Sequence, residues 1–181
     1  MKKRIYTISI TSLSGGGKTT IKNLLKNKLE NSVILCFDDY DFTNDPGDNQ
    51  FNKDLIQYDY NKWELKQLKK DIEKILLECK YDYLLLDYPF SYCNNKIKQY
   101  IDFSVYIDTP LDIAMARRLI RDFNKITDIK NEMEIYLQYG RIGYTDMEKF
   151  VKPTCDLIVN GINKPDEIID LIIGNIKKIG I

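Results

Sequence analysis

The chain opens on an alternation of apolar and polar side chains. From Ile5 it reads Ile-Tyr-Thr-Ile-Ser-Ile-Thr, the period of a strand, and it then runs into Gly15-Gly16-Gly17. Directly after the glycines the period changes. Ile21, Leu24, Leu25 and Leu29 fall on one face of a helix predicted over Thr20 to Leu29. Ser32 to Phe37 is a short apolar run suited to a strand covered on both sides. It ends in Asp38-Asp39, and a long polar loop follows, the kind that in compact chains is mostly functional or mobile. A second helix is predicted from Asn61, with Glu64 as its capping-box partner and Leu65, Leu68, Ile72, Ile75, Leu76 and Cys79 as its buried stripe. Tyr83 to Leu86, Phe103 to Ile107 and Asp156 to Val159 read as further strands. Thr109-Pro110 reads as a cap and first-turn proline opening a helix. Lys130 to Phe150 is helical in pattern, with a kink or break expected at Gly140 and Gly143, and Asn163-Lys164-Pro165 starts a closing helix rich in isoleucine. Strands alternating with helices predict an α/β fold: a central parallel sheet with helices on both faces. There is no internal repeat, linker or low-complexity segment, so one domain over residues 1–181 is expected.

The junction of the first strand and the first helix carries the most specific chemistry. It ends Gly17-Lys18-Thr19, the close of the phosphate-binding loop G-x-x-x-x-G-K-[ST], with Ser12 where the first glycine of that motif falls. Ser14 to Thr20 are the predicted nucleotide-binding residues. Glycines let the backbone bend and bring its N–H groups close to phosphate oxygens. The new helix turns unpaired N–H groups and the positive end of its dipole to the same anion. Lys18 can reach the outer phosphates, and the Thr19 hydroxyl can ligate Mg²⁺.

Composition narrows the partners. Lys plus Arg and Asp plus Glu both count 27, so no net charge points to nucleic acid or to a membrane surface. Cys36, Cys79, Cys93 and Cys155 have no C-x-x-C spacing and there is no histidine, which argues against a zinc site or a disulfide framework. Met1-Lys2-Lys3-Arg4 resembles the start of a signal peptide, but the apolar run that should follow is interrupted by Thr, Ser and Gly. A reducing, cytoplasmic setting is expected.

Ligands of such a sheet gather outside the carboxyl ends of its strands. There, Asp87 closes the run Tyr-Leu-Leu-Leu-Asp and fits an acidic position supporting Mg²⁺, although a lone Asp at a strand end also serves as a cap or turn residue. Asp38 or Asp39 could accept the proton of an attacking hydroxyl, or the two could be a solvated turn pair. At most one should be catalytic, because adjacent residues point in different directions. Arg117, Arg118 and Arg121 fall within an arc of roughly 100° on one helix face, a cluster that an anion would relieve and that surface acids such as Asp112 and Asp122 could also satisfy.

With these residues in view the chain resembles the uridine kinase and nicotinamide riboside kinase group, from Ile5 to about Gly161. The resemblance rests on the phosphate loop, on Val-Ile-Leu-Cys-Phe-Asp-Asp-Tyr, on Gln-Tyr-Asp-Tyr before the second helix, on Arg-Arg-Leu-Ile-Arg-Asp, and on Val-Lys-Pro-Thr-Cys-Asp-Leu-Ile-Val-Asn-Gly. It implies a three-layer P-loop kinase fold with a helical lid at about 117–130. It also implies ATP and Mg²⁺ as cofactors, and Asp38 as the carboxylate that takes the proton from a nucleoside 5′-hydroxyl. Tyr58 and Asp59 match positions that stack on the base and hold the ribose hydroxyls. Asp87 matches the Mg²⁺-side acid, where the group has Glu-Gly and this chain Asp87-Tyr88. Arg117, Arg118 and Arg121 match the lid, followed here by Phe123-Asn124-Lys125 in place of further arginines. The expectation is a kinase acting on a small nucleoside-like acceptor. A kinase for a nucleotide or another metabolite and a slow regulatory ATPase stand as alternatives.

Overall fold

The computed structural model describes residues 4–42 and 59–180. The alternating first run becomes strand β1 (Tyr6–Ser12) at the middle of a five-stranded parallel sheet of order β2-β3-β1-β4-β5. The others are β2 (Ser32–Cys36), β3 (Tyr83–Asp87), β4 (Phe103–Asp108) and β5 (Leu157–Asn160). The pleat sends Ile8 and Ile10 to one face, where they pack with Ile21 and Leu25 of α1 (Lys18–Lys28) and with Ile168, Ile169, Ile172 and Ile176 of α6 (Pro165–Lys178). Each buried isoleucine stabilises the fold by about 1.5–3 kcal/mol. The opposite face is covered by α2 (Lys66–Glu78) through Leu68 and Ile72, and by a cluster of aromatic rings around Phe37. Helices thus cover both faces, as the alternation of elements predicts.

Two elements differ from the sequence expectation. The second helix begins at Lys66, not Asn61, and Tyr60–Lys62 is a separate 3-10 turn. The cause lies in the side chains. The Asn61 carboxamide accepts from the Asn95 backbone N–H at 2.8 Å, Glu64 pairs with Lys66 and Lys96, and Trp63 is extended, with its ring 5.2 Å from Phe37 and from Phe90. Packing that half-buried indole against two phenyl rings holds Trp63 out of the helix. The 130–150 stretch also keeps its helical course through the two glycines. It runs as α4 (Ile126–Ile135), a π turn (Tyr136–Gly140), α5 (Arg141–Asp146) and a second π turn (Met147–Val151). Gly140 has ordinary right-handed helical angles, so the irregularity is an altered hydrogen-bond register and not a break. These helices follow α3 (Leu111–Asp122), which stands against the glycine loop. No helix among the described residues is long and apolar enough to cross a membrane.

Candidate active site

The loop after β1 is built by close backbone approach. Gly15 and Gly17 adopt φ of +80° and +102°. A Cβ on Gly15 would stand 2.0 Å from the Ala114 carbonyl oxygen, so α3 rests directly on the loop. Ser12 fits where the motif has glycine because it turns its hydroxyl inward. Ser12 Oγ and the Gly16 N–H both donate to the Leu13 carbonyl, each at 2.9 Å. Gly16 is then obligatory, since a Cβ there would lie 2.7 Å from Ser12 Oγ. Thr109 does not cap α3, whose first residue follows Pro110. Its buried hydroxyl instead donates to the Gly16 carbonyl at 2.9 Å, and a Cβ on Gly161 would collide with it at 1.9 Å. Thr109 therefore pins together the loop and the turn after β5. Helix α1 starts at Lys18 with neither a side-chain cap nor an acidic residue in its first turn, leaving its positive end for an anion. Lys18 Nζ donates to its own loop, at 3.2 Å from the Ser12 carbonyl. Burial pushes the Lys18 ammonium below its ordinary pKa, against the opposing pull of Asp87 and Asp38.

Sheet register brings the carboxylates beside the loop. Asp87 stands level with Ile10 on β1 and with Cys36 on β2. It is buried and is held by Lys22 of α1, whose Nζ lies 2.7 Å from Asp87 Oδ2 and 2.8 Å from Cys36 Sγ. Burial draws the Lys22 pKa down, but the hydrogen bonds to Asp87 and Cys36 more than offset it and the net shift is upward. Asp38 and Asp39 form a 3-10 turn with Phe37 after β2, and both are exposed.

The three arginines of α3 diverge. Arg117 and Arg121 line the cavity over the loop; Arg117 donates to the Gly161 carbonyl at 3.3 Å, and Arg121 is bidentate to Asp122 at 2.6 and 2.8 Å. The hydrogen bond to Asp122 raises the Arg121 pKa. Arg118 turns the other way, to Glu132 at 2.6 Å and to the Tyr144 hydroxyl at 3.1 Å, bracing α3 against α4 and α5.

Two cavities meet at this place. The first, about 500 Å³, holds the loop residues Ser14 to Thr20 with Asp38, Asp87, Arg117 and Arg121, and ends at Gly161 and Asn163. The second, about 390 Å³, is walled by Phe37, Tyr60, Trp63, Phe90, Tyr144 and Met147. Leu13, Ser14, Lys18 and Asp38 line both. Asp39 and Arg118 are in neither lining. The sequence expectation for Tyr58 lies outside the described residues. Asp59 is exposed, accepts from the Asn61 backbone N–H at 3.0 Å as the cap of the 3-10 turn, and lines neither cavity, whereas the adjacent Tyr60 lines the second. Lys22, Thr109, Trp63, Tyr144 and Asp146 were not legible as site residues. Lys22 left one signal, its place one helical turn beyond Lys18 on the same face.

A chain of this architecture, with a glycine cradle under a helix start and a second cavity sharing its lysine, is matched over residues 57–163 by the model of the phosphoribulokinase / uridine kinase family. The chain belongs to that family. Among curated relatives of this kinase family, the uridine kinase of Borrelia hermsii is 29% identical over 182 residues, covering 86% of each chain. The uridine kinase of Clostridium botulinum is 24% identical over 201 residues, covering 97% of each. The fold is shared with shikimate kinase from Aquifex aeolicus, at a TM-score of 0.50 and 15% identity over 95% of this chain and 96% of that one. It is also shared with an uncharacterized protein from Eubacterium ventriosum, at a TM-score of 0.55 and 15% identity over 96% and 98%. The protein is thus a small-molecule kinase of the P-loop fold.

Proposed function

We propose that this kinase moves the γ-phosphoryl group of ATP to the 5′-hydroxyl of a ribonucleoside. The observation that carries the reading is the shared wall of the two cavities, where Lys18 and Asp38 face both. A polyanion belongs in the first cavity, with its glycine backbone, helix start, Lys18 and two arginines. A flat, apolar-bodied acceptor belongs in the second, with its tyrosine, tryptophan and phenylalanine walls. In-line transfer needs the attacking oxygen between them, at Asp38. Asp38 takes the hydroxyl proton as the oxygen bonds to the γ-phosphorus, and the bond to the departing ADP oxygen breaks. Lys18 and Arg121 offset the charge that spreads over the transferring group.

Mg²⁺, bound with the nucleotide, would offset the charge of its phosphates. The Thr19 hydroxyl at the rim of the cradle and the Asp87 carboxylate beneath it would hold the ion, a small oxygen set of the kind Mg²⁺ takes when phosphates and waters complete its shell. Lys22 fixes the position of Asp87. The charge of the second cavity favours a nucleoside over a nucleotide acceptor. Its charged lining among the described residues is Lys18, Asp38 and Asp146, so an acceptor phosphate would meet two carboxylates and a lysine already engaged by the donor.

Release of ADP should therefore depend on a ribonucleoside and should be weak with nucleoside monophosphates or small hydroxy acids. Asp59 is exposed, caps the 3-10 turn and lines neither cavity, so Asp59→Ala should leave ribonucleoside turnover close to wild type. Coupled ADP-release assays over such a panel test both points. Release at one rate with and without any acceptor would contradict the kinase reading.

A further inference from the structure

We infer that Asp146 selects acceptors whose base presents an amino group, favouring cytosine over uracil and adenine over hypoxanthine. The inference rests on the nucleoside reading above and adds which edge of the base is read. The ring faces and aliphatic surfaces of the second cavity accept any flat base. Discrimination has to come from a polar group. Two of the charged groups that line this cavity, Lys18 and Asp38, also line the first and so stand at the transfer point. Asp146 lines the second cavity and not the first, which puts it on the acceptor's side away from the phosphates.

An ionised carboxylate only accepts hydrogen bonds. Cytosine and adenine carry an amino donor where uracil and hypoxanthine carry a carbonyl oxygen, so one member of each pair can donate to Asp146 and the other sets oxygen against oxygen. The carboxylate is also well supported. Asp146 is the last residue of α5, where the helix passes into its second π turn, and such turns recur at functional sites. Two residues before it, Tyr144 is held by Arg118 at 3.1 Å and packs edge-on against Tyr136 at 5.4 Å. A group on a braced helix can read an edge more sharply than one on a loop.

The test compares kcat/KM for cytidine against uridine and for adenosine against inosine, with wild type and Asp146→Asn. Asparagine keeps the shape but both donates and accepts. Wild type should prefer the amino member of at least one pair by about tenfold or more, the size of a charge-assisted hydrogen bond. In Asp146→Asn that ratio should fall toward unity or invert, through KM more than kcat, with an unchanged melting temperature showing an intact fold. Turnover of ribonucleosides without amino preference, or a preference that survives Asp146→Asn, would overturn this inference and leave the nucleoside reading standing. Failure to phosphorylate any ribonucleoside would overturn both. A second variant, Asp146→Ala, should lose the preference as well, so a fold defect in one variant does not decide the outcome.

Discussion

At the scale of single residues, what matters is which side chains reach the place where the cavities join. Asp38 and Asp39 are chemically identical neighbours in one turn, yet Asp38 lines both cavities and Asp39 neither. In the proposed reaction Asp38→Asn should lower kcat by about 10²–10⁴-fold with little change in ATP affinity. Asp39→Asn should stay close to wild type, and steady-state kinetics on both variants check the pair. Lys18 supplies a second prediction. Its pKa lies below the ordinary 10.5 because burial disfavours its charge. In the alkaline window just under 10.5 the empty site has thus already lost protons that an unperturbed lysine would retain. Phosphate binding favours the charged form, so affinity for a non-hydrolysable ATP analogue should fall as pH rises through that window, with proton uptake on binding. Titration calorimetry in buffers of different ionisation enthalpy measures both. Affinity that is flat across the window would separate Lys18 from the phosphates.

At the scale of elements, the loop is rigid because three chain segments press on it. Helix α3 stacks its Ala114 carbonyl where a Gly15 Cβ would stand, Ser12 closes the turn from inside, and Thr109 ties Gly16 to the region of Gly161. Thr109→Val keeps the shape and removes the hydroxyl, leaving the Gly16 carbonyl without that donor. The cost should be about 1–3 kcal/mol, read as a fall in Tm of about 2–4 °C per kcal/mol. Nucleotide affinity should weaken in the same variant, because the loop loses its tie. Differential scanning calorimetry and nucleotide titration check these, and an unchanged Tm with unchanged affinity would remove Thr109 from the site. Elements were the most legible level of the sequence. The strand alternation, the glycine cluster and the isoleucine-rich closing helix are local patterns, and their elements form where those patterns lie. Misread boundaries trace to distant partners: Asn61 is engaged by Asn95 and Trp63 by Phe37 and Phe90, so the second helix starts late. Lys22 and Asp87, 65 residues apart, pair because α1 lies beside β3, a contact that no periodicity reveals.

At the scale of the whole molecule, the sheet order β2-β3-β1-β4-β5 puts the phosphate loop at the centre, with the carboxylates from β2 and β3 on one side. The arginine helix after β4 comes from the other side. The long arm of α4, α5 and their π turns then returns to wall the second cavity with Gly140, Gly143, Tyr144 and Asp146. Half of the site was therefore readable from a motif that a single loop carries. The acceptor half was not, because its wall is assembled from the turn before α2, the segment after β3 and the arm, which are far apart in sequence. The central claim is that the two cavities exchange one phosphoryl group at Asp38. Phosphorus-31 NMR of the reaction products tests it most directly, with ATP, Mg²⁺ and a ribonucleoside acceptor. The nucleoside 5′-monophosphate should appear in step with ADP for wild type and fade with Asp38→Asn. Inorganic phosphate in place of the nucleotide product, or phosphorylation that persists unchanged in Asp38→Asn, would contradict it.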